Sequence, residues 1–283
     1  MSSHQLELAS AEGVTNNLDQ TPEDDLRVIL SDFDYTLCYE YGFDPESNNH
    51  LPYIYSELIE AAQGQNLIVA TGRRAKHPFL PVIWQSGLVD PRSPVIAENG
   101  GTLVFYGEQG RRYIDLVTED DIALIHESRE RIRQEITDMP KDQELIFKLG
   151  RTMLLTRLQN AAGEVDPLHN ARLAERVQEL FDPSHIRVVD TRASVIVQQA
   201  EVNKSAGFRR YLGILGLQRS DVHVTGLGDG LNDRELFEEA DVSIGFSRVV
   251  RPYVDIEIPG SPANAARVLR TLANHPSRRL HSA

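Results

Sequence analysis

Two rhythms of apolar and polar positions divide the chain. In the first, a short aliphatic run precedes a longer amphipathic segment: RVILSDFD before LPYIYSELIEAAQG, NLIVATG before a helical segment around 75–87, then PVIAENG. The short runs read as buried strands. In LPYIYSELIEAAQG, Ile54, Leu58 and Ala62 recur four apart, and Gly64 supplies a helix stop. The same rhythm returns late, with DVHVTGLGDG, a helix from about Asn232 to Ala240, ADVSIGF, DIEIP and a closing helix in SPANAARVLRTLAN. Strands alternating with helices predict βαβ units and a parallel sheet.

Between these groups the pattern changes. GTLVFYGEQGRRYIDL alternates like a hairpin with its turn near GEQG. TEDDIALIHESRERIRQEI opens with Thr118 and Asp121 at capping-box spacing, and Ile122, Ile125, Ile132 and Ile136 share one helix face. ELIFKLGRTMLLTRL reads as one or two strands, PLHNARLAERVQELF as a helix, and HIRVV and SVIVQQ as strands. The predicted fold class is α/β: a Rossmann-like parallel-sheet core over 26–115 and 200–274, carrying an inserted α+β cap over 116–199. A polar, acidic leader over 1–25 reads as disordered, and 275–283 as a tail.

Charge narrows the partners. With 29 basic against 42 acidic side chains the formal charge is −13, a field that repels polyphosphate backbones and anionic lipid. Neither nucleic acid nor a membrane surface is expected as a partner, and an anionic ligand must be captured by local groups. The single cysteine, Cys38, rules out an internal disulfide. No uncharged run reaches the length of a membrane span, and the N-terminus lacks a basic flank before an apolar block. The expected location is the cytoplasm.

The chemistry gathers at strand ends. The first strand ends in Asp32 and Asp34, the second in Thr71, Gly72 and Arg73, and a later one in GDGLND with Asp229, Asn232 and Asp233. Lys204 stands in EVNKSAG, where the chain re-enters the core. Ligands of open parallel sheets bind beyond the carboxyl ends of the strands, so these groups can converge on one crevice. Side chains two apart on a strand share a face, which would crowd Asp32 and Asp34 together with Asp229. Carboxylates that close repel one another unless a cation joins them, and an oxygen-only cluster suits Mg²⁺. Lys204, the Thr71 hydroxyl and the backbone N–H groups after both strands, Gly72 among them, supply donors for a phosphoryl group. One carboxylate can attack phosphorus to give an aspartyl-phosphate, and a second can protonate the leaving alcohol and later activate water.

DFDYT, TGR, a lysine shortly before a helix and GDGLND, in that order, resemble the four motifs of the haloacid dehalogenase superfamily of phosphatases. An insert between the second and third motifs, followed by VNKSAG, is similar to the branch with a type C2 cap. That branch includes Cof-type sugar phosphatases and the trehalose-, sucrose- and mannosylglycerate-phosphate phosphatases; ENGG at 98–101 resembles a Cof-like phrase. The resemblance implies Asp32 as nucleophile and Asp34 as general acid/base. It implies Mg²⁺ held by Asp32, the Asp34 carbonyl and Asp229, with Asp233 acting through water, and phosphate bound by Thr71 and Lys204 with Asn232 in support. Tyr35 departs from the pattern, since many relatives have glycine there; a change of local packing is expected, not loss of activity.

Blander readings compete. PEDD at 22–25 and EDD at 119–121 are solvated acids, Asp233 could be a helix-start charge, and Cys38 is a small hydrophobe. GLGDGLN lacks the third glycine of a dinucleotide loop, no histidine pair has zinc spacing, and no serine sits in G-x-S-x-G. The cap arginines Arg129, Arg131, Arg133, Arg172 and Arg176 read as a solvated face, whereas Arg73, Lys148 and Arg151 are candidates for substrate contact. The expectation is a Mg²⁺-dependent phosphomonoesterase acting on a small phosphorylated molecule, a sugar or cyclitol phosphate. The alternatives are a sugar phosphomutase and a non-catalytic module of the same fold.

Overall fold

The computed structural model describes residues 26–44, 49–137, 142–191, 193–274 and 280. The leader expected over 1–25, and all of the expected tail but Leu280, lie outside the described residues. An eight-stranded sheet forms the centre. From edge to edge its strands are β14 (Ile256–Glu257), β13 (Val242–Gly245), β12 (Val222–Gly228), β1 (Leu26–Ser31), β4 (Leu67–Ala70), β5 (Val95–Ala97), β6 (Thr102–Gly107) and β7 (Gly110–Asp115). Those from β14 to β5 run parallel; β6 and β7 turn back as an antiparallel hairpin.

The aliphatic runs are continuous because both sheet faces are covered. In β1, Ile29 packs toward α1 (Ser56–Ala62), α2 (Leu80–Gln85) and α7 (Pro262–Ala273). Val28 and Leu30 pack toward α5 (Lys204–Ile214) and α6 (Arg234–Glu239). β4 alternates in the same way, Leu67 and Val69 against Ile68 and Ala70.

A second, antiparallel sheet has the order β10 (Ile186–Asp190), β11 (Val195–Gln199), β9 (Met153–Gln159) and β8 (Glu144–Leu149). One of its faces is closed by α3 (Glu119–Glu135) and α4 (Pro167–Glu179), with Ile125, Ile132, Leu173 and Val177 against Leu154, Leu158, Val195 and Val197. The Thr118–Asp121 capping box starts α3 as the spacing predicts, although Ile122 is only half-buried. The opposite face carries Lys148 opposite Leu155, with Arg157 two residues further along β9 and Ile196 opposite Leu155 on β11.

Some boundaries differ from the sequence expectation. The helix in LPYIYSELIEAAQG begins only at Ser56, because β3 (Asn49–Tyr53) pairs antiparallel with β2 (Glu40–Asp44) in a hairpin that the sequence reading omits. Pro52 pairs with Tyr41 there, and proline is excluded from a helix interior. The segment around 75–87 contains only the six residues of α2, with Pro81 in the first turn. Near Asn232 a 3₁₀ turn over Leu231–Asp233 precedes α6.

ENGG is a joint. Glu98 and Asn99 take left-handed φ values of 54° and 55°, and their N–H groups donate to Arg73 and Thr71 carbonyls at 2.9 and 3.0 Å. The buried Glu98 carboxylate then accepts from Ala75 N–H at 2.8 Å, Arg151 N–H at 2.9 Å and Thr152 N–H at 2.6 Å. One side chain thereby ties the loop after β4 to the β8–β9 turn. Gly100 follows with φ 108°, and a Cβ there would stand 1.9 Å from the Asn203 carbonyl oxygen, just before α5. Gly100→Ala is expected to cost about 3 kcal/mol or more in urea unfolding, from overlap and left-handed strain together. An unchanged midpoint would show that the two segments do not pack this closely.

Candidate active site

β1 and β12 lie in register, Ser31 opposite Leu227, so their carboxyl ends open side by side. Asp32 N–H donates to the Leu227 carbonyl at 2.8 Å, extending the ladder by one residue. Opposite them, Asn203 caps α5, its side chain accepting from Ala206 N–H at 2.8 Å, and the next residue is Lys204. The Lys204 ammonium donates to Asp32 Oδ1, and to Asp233 Oδ1 at 2.5 Å. The second Asp233 oxygen accepts from the N–H groups of Asp229 and Gly230 at 3.1 and 2.9 Å. Thr36 donates its hydroxyl to Asp229 Oδ1 at 3.3 Å.

The acid that joins Asp32 and Asp229 is therefore Asp233, not Asp34. Carboxylate oxygens of Asp32, Asp229 and Asp233 lie within 4.8 Å of one another. The two-residue strand period stops at Ser31, the chain bends, and Tyr35 takes φ 57°. Asp34 turns instead to Arg73, which donates from Nε to Oδ2 at 3.0 Å and from Nη2 to Oδ1 at 2.8 Å. The Tyr41 hydroxyl also donates to Asp34 Oδ1. The Arg73 guanidinium lies over the Tyr41 and Phe79 rings, 5.5 and 5.3 Å from their centroids.

The two acids of DFD are thus tuned apart. Burial, then the charges of Asp233 and Asp229, hold Asp32 well above the usual carboxylate range against the pull of Lys204. Burial also acts to raise Asp34, but the hydrogen bond and charge of Arg73 and the Tyr41 hydroxyl bring it below its ordinary value. Asp229 is pushed up to about 6 by burial and by Asp233. Lys204, although burial opposes its charge, is raised by Asp233 and Asp32 and stays an ammonium.

A cavity of about 670 Å³ opens above this floor. Asp32, Asp34, Gly72, Arg73, Asp229 and Asn232 line it, and Lys148 comes down from the cap sheet. Thr71 is fully buried behind the wall, its hydroxyl oxygen accepting from Arg73 N–H at 3.1 Å. Lys204 and Asp233 are buried beneath it. Arg151 does not line the cavity: its guanidinium is bound to Asp115, with Nε–Oδ1 at 2.9 Å and Nη2–Oδ2 at 2.5 Å. His77, also on the wall, is pushed down to about 4 by burial and by Arg73 and Arg74, and is uncharged at neutral pH.

The cluster fits a divalent cation. Three acids share a small buried volume with one ammonium, and Asp34 has its own arginine. That leaves an excess of negative charge, which the raised Asp32 and Asp229 express.

No family model matches the sequence. A phosphoglycolate phosphatase of Methanosarcina acetivorans is 29% identical over 160 residues, 56% of this chain and 61% of that protein. The chain thus aligns with less than two thirds of that relative's length. The C-terminal domain of C. albicans trehalose-6-phosphate phosphatase superposes with a TM-score of 0.62 at 15% identity, over 93% of this chain and 96% of its own. BT1666 of Bacteroides thetaiotaomicron, among the phosphatases of the haloalkanoate (HAD) superfamily, gives 0.61 at 16% identity, over 90% and 97%. Coverage this wide takes in both sheets. The chain has the haloacid dehalogenase fold with an inserted cap.

Within this HAD fold, three residues of the site had little signal in the sequence. Glu98 has its partners some fifty residues away at Arg151 and Thr152. Tyr41 reaches Asp34 from the unforeseen hairpin. His77 lies in a proline-rich turn with no motif around it. Tyr35 pays a small conformational cost at a left-handed position that glycine adopts freely, and it stands exposed at the cavity rim.

Proposed function

We propose that the chain is a Mg²⁺-dependent phosphomonoesterase acting on a small phosphorylated metabolite, a sugar or cyclitol phosphate. The observation that carries this is the Asp32–Asp229–Asp233 cluster clasped by buried Lys204 at the floor of the cavity. Its support from relatives is the phosphoglycolate phosphatase and trehalose-6-phosphate phosphatase likenesses.

Lys204 holds Asp32, a residue of the cavity lining, through one oxygen and leaves the other for attack. That oxygen attacks phosphorus, a carboxylate O–P bond forms, the ester O–P bond breaks, and the leaving oxygen takes a proton from Asp34. Asp34 then removes a proton from water, which attacks the aspartyl-phosphate and frees phosphate and Asp32. The resting pair with Arg73 keeps Asp34 ionised, the form the second step needs. An incoming phosphate competes for that guanidinium and leaves a half-buried carboxyl able to carry the proton of the first step. Asp32, Asp229 and the Asp34 carbonyl would hold Mg²⁺, with Asp233, whose oxygens are engaged by Lys204 and two backbone N–H groups, acting through water; when bound the ion would supply charge neutralisation and Lewis acidity toward phosphoryl oxygens. Gly72 and Asn232 line the phosphate end, and the cap shields it from bulk water.

Magnesium is expected to stabilise the protein in a pH-dependent way. The folded value of Asp229, about 6, lies above its ordinary 3.8. Without a cation the folded state holds the extra proton, and stability falls as pH rises through that window. The rise in Tm on adding Mg²⁺ should therefore grow from about pH 4 to above 6, and shrink in Asp229→Asn. An equal gain at every pH would contradict the cluster as the binding site. The function itself is tested by phosphate release from sugar, cyclitol, glycerate and nucleotide monophosphates with Mg²⁺ and with EDTA. Free phosphate that EDTA abolishes is the expected result; phosphate returned to sugar would mark a mutase.

A further inference from the structure

The cap side of the cavity is cationic in a protein of formal charge −13. Lys148 and Arg157 stand on the open face of the cap sheet, while the other face is apolar and closed by helices. Arg74 reaches the same cavity from the loop after β4. Among the described residues none of the three is paired with a carboxylate. Arg74 donates to the Leu149 carbonyl at 3.4 Å, Arg157 to the Gln159 amide oxygen at 3.0 Å, and Lys148 makes no ion pair. Other arginines of the fold do find acids, as Arg187 does in Glu235 and Arg219 in Asp241. Asp190, an acid the cap adds to the wall, is already engaged.

Crowding like charges on a half-buried wall is unfavourable, and the lysine registers it. Burial, then Arg157, Arg74 and Arg73, bring the Lys148 ammonium below its ordinary value. A phosphoryl group held at Asp32 leaves this cationic wall for the rest of the substrate, and a cavity of about 670 Å³ has room for both ends.

We propose that Lys148 and Arg157, with Arg74, form a second anion subsite, so that the preferred substrate carries a carboxylate or second phosphate on its leaving group. The proposal rests on the phosphomonoesterase reading and sharpens it: neutral sugar phosphates would be poor substrates beside their anionic counterparts. Lys148 and Arg157 are then specificity residues, while Arg151, locked to Asp115, is not.

The test compares kcat/KM within matched pairs that differ in one anionic group. The pairs are 2-phosphoglycolate with 2-hydroxyethyl phosphate, 6-phosphogluconate with glucitol 6-phosphate, and fructose 1,6-bisphosphate with fructose 6-phosphate. The wild type should favour the anionic member by roughly tenfold or more, the worth of one or two charge-assisted contacts. The first two pairs against the third separate a carboxylate from a second phosphate. Lys148→Met with Arg157→Gln should lose about 30-fold on the anionic member, chiefly in KM, and far less on its neutral partner. Lys148→Arg should keep the preference. Equal rates within every pair, or equal losses on both members, would overturn this proposal while leaving the hydrolase reading intact. Absence of phosphate release from every compound would overturn both.

Discussion

Lys204→Met is expected to lower the unfolding free energy of the metal-free protein by about 3–5 kcal/mol and to abolish turnover. The ammonium is buried and contacts two carboxylates that are buried with it. Methionine fills much the same volume but leaves Asp32 and Asp233 facing each other, with Asp229 close by and the backbone N–H groups of Asp229 and Gly230 as the remaining donors to Asp233. One carboxyl must then hold a proton at neutral pH, or the site must open. Urea unfolding in EDTA reads the loss, and added Mg²⁺ should restore part of it by supplying positive charge to the same oxygens. Full stability without metal would mean that the lysine does not neutralise this cluster.

Asp32→Asn should remove at least about 10⁴-fold of kcat and leave the fold in place. Asparagine keeps an oxygen that can accept from Lys204 and keeps the volume, while relieving repulsion from Asp229 and Asp233. What it lacks is the anionic oxygen that attacks phosphorus. A matched Tm with lost phosphate release separates this chemical role from a structural one. Activity within tenfold of wild type would remove Asp32 from the nucleophile's position.

The parallel core was legible because β4 is aliphatic throughout and the aliphatic residues of β1 and β12, such as Val28, Ile29, Leu30, Val224 and Leu227, are buried on both faces of the sheet. Their ends were legible for the opposite reason, since charge placed after such strands has no packing role. Pairings between distant segments were not. The β2–β3 hairpin has a proline and a glycine where alternation would announce it. Arg151 was expected to meet substrate, but Asp115, 36 residues earlier, claims it. Thr71 has the right neighbours and is nonetheless buried behind Arg73, because ENGG pulls the TGR loop against itself through the Glu98 and Asn99 N–H groups. Asp233, whose charge could have been no more than a helix-start preference, is instead fully used, one oxygen for Lys204 and the other for two backbone N–H groups.

The stereochemical course at phosphorus tests the account most directly. A chiral phosphorothioate monoester, turned over in ¹⁸O-labelled water, gives inorganic thiophosphate whose configuration counts the displacements. Attack by Asp32 followed by attack by water is two inversions, and the account predicts net retention. Net inversion would mean that water displaces the leaving group in one step and that no residue of the cluster is ever esterified.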